Sequence, residues 1–309
     1  MTAAAGAPEP QHTLRSPLVW KRTRVEGRVA RYAVTGEGLP VVFLHGWALA
    51  HHTYRDVVAR IAARGCRVYA PALPGFGGTP DLPSASFSLE GYATWVLDFV
   101  RAVDLKEPAV LVGHSFGGGV AIRYAFDHPE RVRSLVLVNS IGGSAWRRGK
   151  TLRSMAERPL WDWGLHFPTD IWPLPQATRV LPVVLEDAIP NLMRNPRSVW
   201  RVAQLARSAD LRVELDQLKQ RRLPVTVLWG SRDGIIPRES FEALCVAVGA
   251  KGTVVDGSHS WLLADPDRFS EVITNDLEIA KAARALESVV PPKRRSRRRA
   301  PTELPTLGS

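Results

Sequence analysis

The chain has 309 residues, 45% of them hydrophobic, with 10 tryptophans, 2 cysteines and a formal net charge of +11. This length and apolar content suffice for a large buried core, and one α/β domain with an insertion accounts for all of it. No apolar run approaches the ~18 residues of a membrane span, and the charge excess does not mark a nucleic-acid binder: Lys293, Arg294, Arg295, Arg297, Arg298 and Arg299 supply six of the positive charges from one proline-flanked run without aromatic residues for base stacking.

Residues 1–17 are rich in alanine and proline and lack a continuous apolar stretch, so they are expected to be a disordered segment and not a signal peptide. Val19 to Thr35 predicts two β-strands around Glu26-Gly27. Strands and helices then alternate, with buried strands expected at Val41–Leu44, Arg67–Ala70, Ala109–Val112, Leu135–Asn139 and Val225–Trp229. Leu89, Tyr92, Trp95, Val96, Phe99, Val100 and Val103 recur at three and four, which predicts an amphipathic helix over residues 88 to 104. The fold class is α/β, a mostly parallel sheet covered by helices on both faces.

The alternation fails between Ile141 and Arg222, a stretch interrupted by Pro159, Pro168, Pro173, Pro175, Pro182, Pro190 and Pro196. It is expected to be a helical lid, its later part helical by period where Val199, Val202, Leu205 and Ala206, then Leu211, Leu215 and Leu218, share faces. The expected organisation is a core in two parts, 18–140 and 223–290, a lid at 141–222 and a basic disordered tail at 291–309. The tail reads as solvated, with weak attraction to anionic lipid surfaces or non-specific phosphate binding as the alternatives. Cys66 and Cys245 form no C-x-x-C pair and read as small core hydrophobes of a cytoplasmic protein, a disulfide staying open. The oligomeric state has no signature in the sequence.

Chemistry concentrates at the ends of strands. Ser115 stands in Gly113-His114-Ser115-Phe116-Gly117, between the apolar run Ala109–Val112 and a helix-like stretch from Gly118 to Phe126. A sharp strand-to-helix turn projects such a hydroxyl to where a base and a substrate carbonyl both reach it. In this layout an acid and then a histidine follow in chain order. Asp233 falls on the loop after the strand Pro224–Trp229, and His259 on the loop after Gly252–Val255. A turn aspartate and a loop histidine are the plain readings of each alone; together with Ser115 they predict a catalytic triad. The strand Val41–Leu44 runs into His45-Gly46-Trp47. The backbone amides of Trp47 and Phe116 are the expected oxyanion donors.

Further motifs are Leu73-Pro74-Gly75-Phe76-Gly77, His128-Pro129-Glu130-Arg131-Val132, Trp229-Gly230 with Asp233 and Pro237, and His259 with Pro266. With these, the chain from about Val29 to about Ala285 resembles the α/β-hydrolase family, and within it the His-Gly-Trp carboxylesterases and lipases. The resemblance implies the α/β-hydrolase fold with a lid and hydrolysis of ester bonds. Two departures stand out. Ala72 occupies a position that is often aspartate in relatives, and the serine at 115 with Ala48 after His45-Gly46-Trp47 disfavours epoxide opening and the removal of halogens, for which relatives use an aspartate nucleophile. Asn139 ends the strand before the lid, where some relatives place the acid; being an amide, it leaves Asp233 as the better choice.

Trp146, Trp161, Trp163 and Trp172 are candidates to line an acyl pocket, packing within the lid being the alternative. Arg147, Arg148, Lys150, Arg153 and Arg158 beside them suggest a basic entrance that steers anionic substrates, or a merely solvated face. His51 and His52 are expected to be solvent-exposed, with a place bordering the oxyanion loop as the alternative, and the sequence holds neither H-E-x-x-H nor a phosphate-binding glycine loop, so no metal, nucleotide or other cofactor is expected. The expected function is hydrolysis of small-molecule carboxylic esters with an apolar acyl part, through an acyl-enzyme on Ser115. The alternatives are a cofactor-free haloperoxidase or carbon–carbon bond hydrolase using the same residues, and a non-catalytic scaffold that binds a small molecule or a partner.

Overall fold

The computed structural model describes residues 17–148, 151–159 and 174–289. β1 (Val19–Val25) and β2 (Arg28–Thr35) form an antiparallel hairpin whose turn residues, Glu26 and Gly27, have φ of 49° and 75°. Two left-handed residues in succession match the twist of a two-residue hairpin turn. The next strands are β3 (Leu39–Leu44), β4 (Cys66–Pro71), β5 (Ala109–His114) and β6 (Val132–Val138). After a small separate hairpin, β7 (Ala145–Arg148) with β8 (Thr151–Ser154), the main sheet resumes with β9 (Val225–Gly230) and β10 (Thr253–Val255).

The main sheet has eight strands in the order β1-β2-β4-β3-β5-β6-β9-β10. From β4 to β10 every neighbouring pair is parallel, and β2 joins β4 antiparallel. Residues on one strand alternate between two cores, as the two-residue period of a strand requires. Val42 and Leu44 of β3 and Leu111 of β5 face one core, while Val41, Phe43, Val110 and Val112 face the other. Helices α1 (Arg55–Ala62), α2 (Leu89–Ala102) and α3 (Phe116–Asp127) follow β3, β4 and β5. α2 begins where the Ser88 hydroxyl accepts the Gly91 amide at 3.1 Å, and it buries Tyr92, Trp95, Val96, Phe99 and Val100, the face expected from its spacing.

Between β6 and β9 lie the hairpin and the helices α4 (Leu174–Arg194), α5 (Pro196–Ser208) and α6 (Arg212–Gln220). The expected faces are present, with Val199, Val202, Ala206, Leu215 and Leu218 buried. Two features depart from a helical segment broken at its prolines. The β7–β8 hairpin is extended, its pattern too short and too charged to announce itself. α4 runs through both Pro182 and Pro190. A proline inside a helix costs ~3 kcal/mol, and here Val180 and Val184, buried in the second core, with Asp187 and Asn191 against the loop after β3, hold the helix by tertiary contact. The chain ends in α7 (Arg238–Val248), α8 (Trp261–Ala264), α9 (Pro266–Val272) and α10 (Thr274–Val289). Among the described residues no helix is long and apolar enough to cross a membrane. Cys66 and Cys245 are both free thiols, and burial pushes each up to about 11.

Candidate active site

Ser115 lies between the end of β5 and the start of α3 with φ 53° and ψ −117°, a conformation that side-chain-bearing residues rarely adopt. The strained turn is held on both sides: the Ser115 amide donates to the Val138 carbonyl at 3.0 Å, and the Ser115 carbonyl accepts from Gly118 at 3.0 Å and Ile141 at 3.3 Å. So tight a bend leaves no room at its flanks. A Cβ on Gly113 would meet the Gly118 Cα at 2.5 Å, and one on Gly117 would meet the Leu44 carbonyl oxygen at 2.2 Å.

The carboxyl ends of β9 and β10 bring Asp233 and His259 together. His259 Nδ1 lies 2.8 Å from Asp233 Oδ2, with both side chains buried. Because a carboxylate only accepts, Nδ1 carries the proton, and the neutral ring then has its lone pair on Nε2. The other carboxylate oxygen accepts the amides of Ile235 and Ile236 at 2.8 and 2.9 Å. Asn139 adds a fourth bond, donating from Nδ2 to Asp233 Oδ2 at 2.5 Å, while its own Oδ1 accepts the Trp261 indole N–H at 2.9 Å. The amide at the alternative acid position thus serves the acid at 233. Trp261 gave no sign of this part in the sequence.

His114 links these elements. Its Nε2–H donates to the His259 carbonyl at 3.0 Å, its Nδ1 accepts the Tyr54 hydroxyl at 2.7 Å, and that hydroxyl accepts the Gly46 amide at 3.1 Å. The ring centroids of His114 and His259 are 4.9 Å apart, which places the residue beside Ser115 against the candidate base. Across the bend, Phe116 opens α3 and packs edge-on against Tyr92 at 5.1 Å, while Trp47 is partly buried and donates its indole N–H to the Val199 carbonyl at 2.7 Å. Ala72 does not leave its loop loose: the Ala72 amide donates to the Arg31 carbonyl at 2.9 Å, and Leu73 donates to His45 Nε2 at 2.8 Å.

Other expectations fare differently. Trp146 borders a cleft of about 570 Å³ at the acid loop, with Arg158, Trp229 and Asp233. Trp161, Trp163 and Trp172, Lys150 and the basic tail lie outside the described residues. Arg158 does not belong to a solvated basic entrance: it is 2% exposed and donates to the carbonyls of Gly234 and Ile235, both at 2.8 Å. Arg153 is paired with Glu157 at 2.8 Å. His51 is not solvent-exposed either, being buried beneath Trp20 and His52.

The buried histidines make a pH prediction. Burial lowers His45 to about 4; burial, then the neighbouring His52 charge, lowers His51 to about 3. In the unfolded chain histidines titrate near ~6.5, so below that pH the unfolded state binds more protons and stability falls with pH. The contribution is fully present above ~6.5 and is lost as pH falls toward 4, at about 1.4 kcal/mol per unit, or ~3 kcal/mol from His45. The urea midpoint should therefore drop steeply between pH 7 and pH 4.5. A midpoint constant over that range would show that these rings are not buried neutral.

A strained serine between a parallel strand and a helix, beside a histidine–aspartate pair on the same sheet edge, defines the class of α/β proteins built around a nucleophile elbow. The chain belongs to the alpha/beta hydrolase family, whose model matches residues 41–272. A protein of Mycobacterium phage D29, provisionally named a non-heme haloperoxidase, is 28% identical over 250 residues, covering 78% of this chain and 88% of that protein. The pimeloyl-acyl-carrier-protein methyl ester esterase of Aromatoleum aromaticum is 30% identical over 257 residues, covering 75% of this chain and 96% of the esterase. Among solved structures, a meta-cleavage product hydrolase from Pseudomonas fluorescens IP01 is similar in fold, with a TM-score of 0.67 at 23% identity, over 87% of this chain and all of that one.

Proposed function

We propose that this hydrolase cleaves carboxylic esters through an acyl-enzyme. Ser115 Oγ attacks the ester carbonyl while His259 Nε2 takes its proton; Asp233 holds the imidazole in the required tautomer and stabilises its charged form. The carbonyl oxygen, now negative, is held by the amides of Trp47 and Phe116. Collapse expels the alcohol, which takes the proton back from His259. A water molecule, deprotonated in turn by His259, then releases the acid and restores Ser115. The observation that carries this reading is the 2.8 Å contact of His259 Nδ1 with Asp233 Oδ2 on the edge where Ser115 is strained outward. The indole of Trp47, gripped by the cap that helices α4 to α6 form between β6 and β9, favours an apolar acyl part. A methyl ester esterase among the relatives points the same way.

The phage relative carries a haloperoxidase name and the fold neighbour from Pseudomonas fluorescens that of a meta-cleavage product hydrolase, so a substrate panel decides. On p-nitrophenyl esters from acetate to palmitate, the protein should show a burst of nitrophenolate equal to the enzyme present, then steady turnover. Cleavage of a dienone ring-fission product without ester turnover would move the reading to carbon–carbon chemistry, and peroxide-dependent bromination alone to a haloperoxidase. No turnover of any kind, with no phosphonate adduct on Ser115, would leave a binding scaffold.

A further inference from the structure

The loop after β3 is gripped by the cap. Ala48, next to Trp47, has φ 61°, so this turn is strained for a residue with a side chain. The backbone groups that follow are partnered by one face of α4. Asp187 Oδ2 accepts the Ala50 amide at 3.1 Å, the Thr53 amide at 2.9 Å and the Thr53 hydroxyl at 2.6 Å, and Oδ1 lies 3.5 Å from His52 Nδ1. Four residues on, Asn191 donates from Nδ2 to the carbonyls of Ala48 at 2.9 Å and Leu49 at 3.4 Å, and its Oδ1 accepts the Gly77 amide at 3.0 Å. The i, i+4 spacing puts both side chains on one helix face, and both are buried. Burial alone would raise the Asp187 carboxyl, but the bonds from His52 and Thr53 outweigh it and hold the group at about 2. The ionised form is thus the one that grips the loop.

We propose that Asp187 and Asn191 are positioning residues for the reaction, holding Ala48–Thr53 so that the Trp47 amide stays where the oxyanion develops. Seating of the cap and assembly of the oxyanion site are then one event. Simple adhesion between cap and core would spread its bonds over many elements. Here, among the described residues, the side-chain bonds of these two residues, apart from the one to Gly77, end on the residues immediately after Trp47. The proposal rests on the serine-hydrolase reading.

The test compares Asp187→Ala and Asn191→Leu with wild type by ester kinetics, by affinity for a boronic acid that forms a tetrahedral adduct on Ser115, and by hydrogen exchange of amides 46–54. Misplacing a group by about 1 Å can lose on the order of 10²-fold in rate. Each variant should lose about that in kcat with KM nearly unchanged, weaken boronate binding by a similar factor, and exchange faster in the loop. Asp187→Asn, which keeps an oxygen acceptor of the same size, should recover most of the rate. Glu186→Gln, on the exposed face where Glu186 pairs with Arg55, should behave as wild type. If Asn191→Leu fails to fold, Asn191→Asp replaces it: equal in size, it sets a carboxylate against two carbonyls and should give the same kcat loss. The proposal falls if kcat stays within about two-fold while exchange accelerates, or if kcat falls without loss of boronate affinity. A fluorophosphonate adduct on wild-type Ser115 separates the two failures. Adduct present with unaffected variants overturns the positioning role alone, and no adduct with no ester turnover overturns the hydrolase reading and this role with it.

Discussion

Ser115→Ala should lower kcat by on the order of 10⁴-fold or more, with KM and stability nearly unchanged. The hydroxyl is the atom that becomes bonded to the acyl group, so its loss removes the covalent route and leaves only whatever the oxyanion donors achieve with water. The fold should tolerate the change. The turn at 115 is held by backbone bonds to Val138, Gly118 and Ile141, none of which involves Oγ, and alanine keeps the Cβ already accommodated at φ 53°. Kinetics on one ester, with circular dichroism and the urea midpoint as folding controls, check the prediction. A variant that retains a tenth of the wild-type rate, or a phosphonate adduct on another serine, would remove Ser115 from its assigned role.

Asp233→Asn should be about as severe, on the order of 10⁴-fold in kcat, and the hydrogen bonds say why. One oxygen at 233 is claimed by the amides of Ile235 and Ile236, so the asparagine oxygen must stay there. Its NH₂ then replaces Oδ2, facing both His259 Nδ1 and the Asn139 NH₂. His259 meets a donor and takes the tautomer with its proton on Nε2, where it cannot act as a base. Asn139 cannot turn to accept without abandoning the Trp261 indole. A buried donor left facing a donor costs roughly 1–3 kcal/mol, so this variant should also lose stability, unlike Ser115→Ala. Loss of rate below tenfold would show that the acid lies elsewhere. Loss of stability without loss of rate would make Asp233 a loop anchor only.

The site residues differed in how much of their setting was local. The strand-end positions of Ser115 and Asp233 could be read in the sequence because β5 and the second half of β9 are buried and leave an apolar run with a sharp end, whereas His259 follows β10, an edge strand exposed at Thr253 and Val254 and marked only by its β-branched residues. His51 and Arg158 were misjudged as exposed because polarity says nothing of cover: Trp20 and His52 bury one, and two carbonyls of the acid loop bind the other. The prolines of α4 were read as breaks because helix propensity is local, whereas the contacts that hold this helix come from residues more than 100 positions away.

The sequence by itself determined the alternation of strands and helices, the chain order of Ser115, Asp233 and His259, and the glycine-flanked bend at Ser115, since these depend on neighbours along the chain: apolar period, turn glycines and strand ends. Only the tertiary structure decided that Asn139 shares Oδ2 of Asp233 with His259, that His114 and Tyr54 tie the Gly46 amide to the His259 backbone, and that Asp187 and Asn191 grip the loop after Trp47. Such bonds join groups far apart in the chain. A polar side chain acquires a partner only when folding removes it from water, and which partner it finds is a matter of where the packed elements leave it.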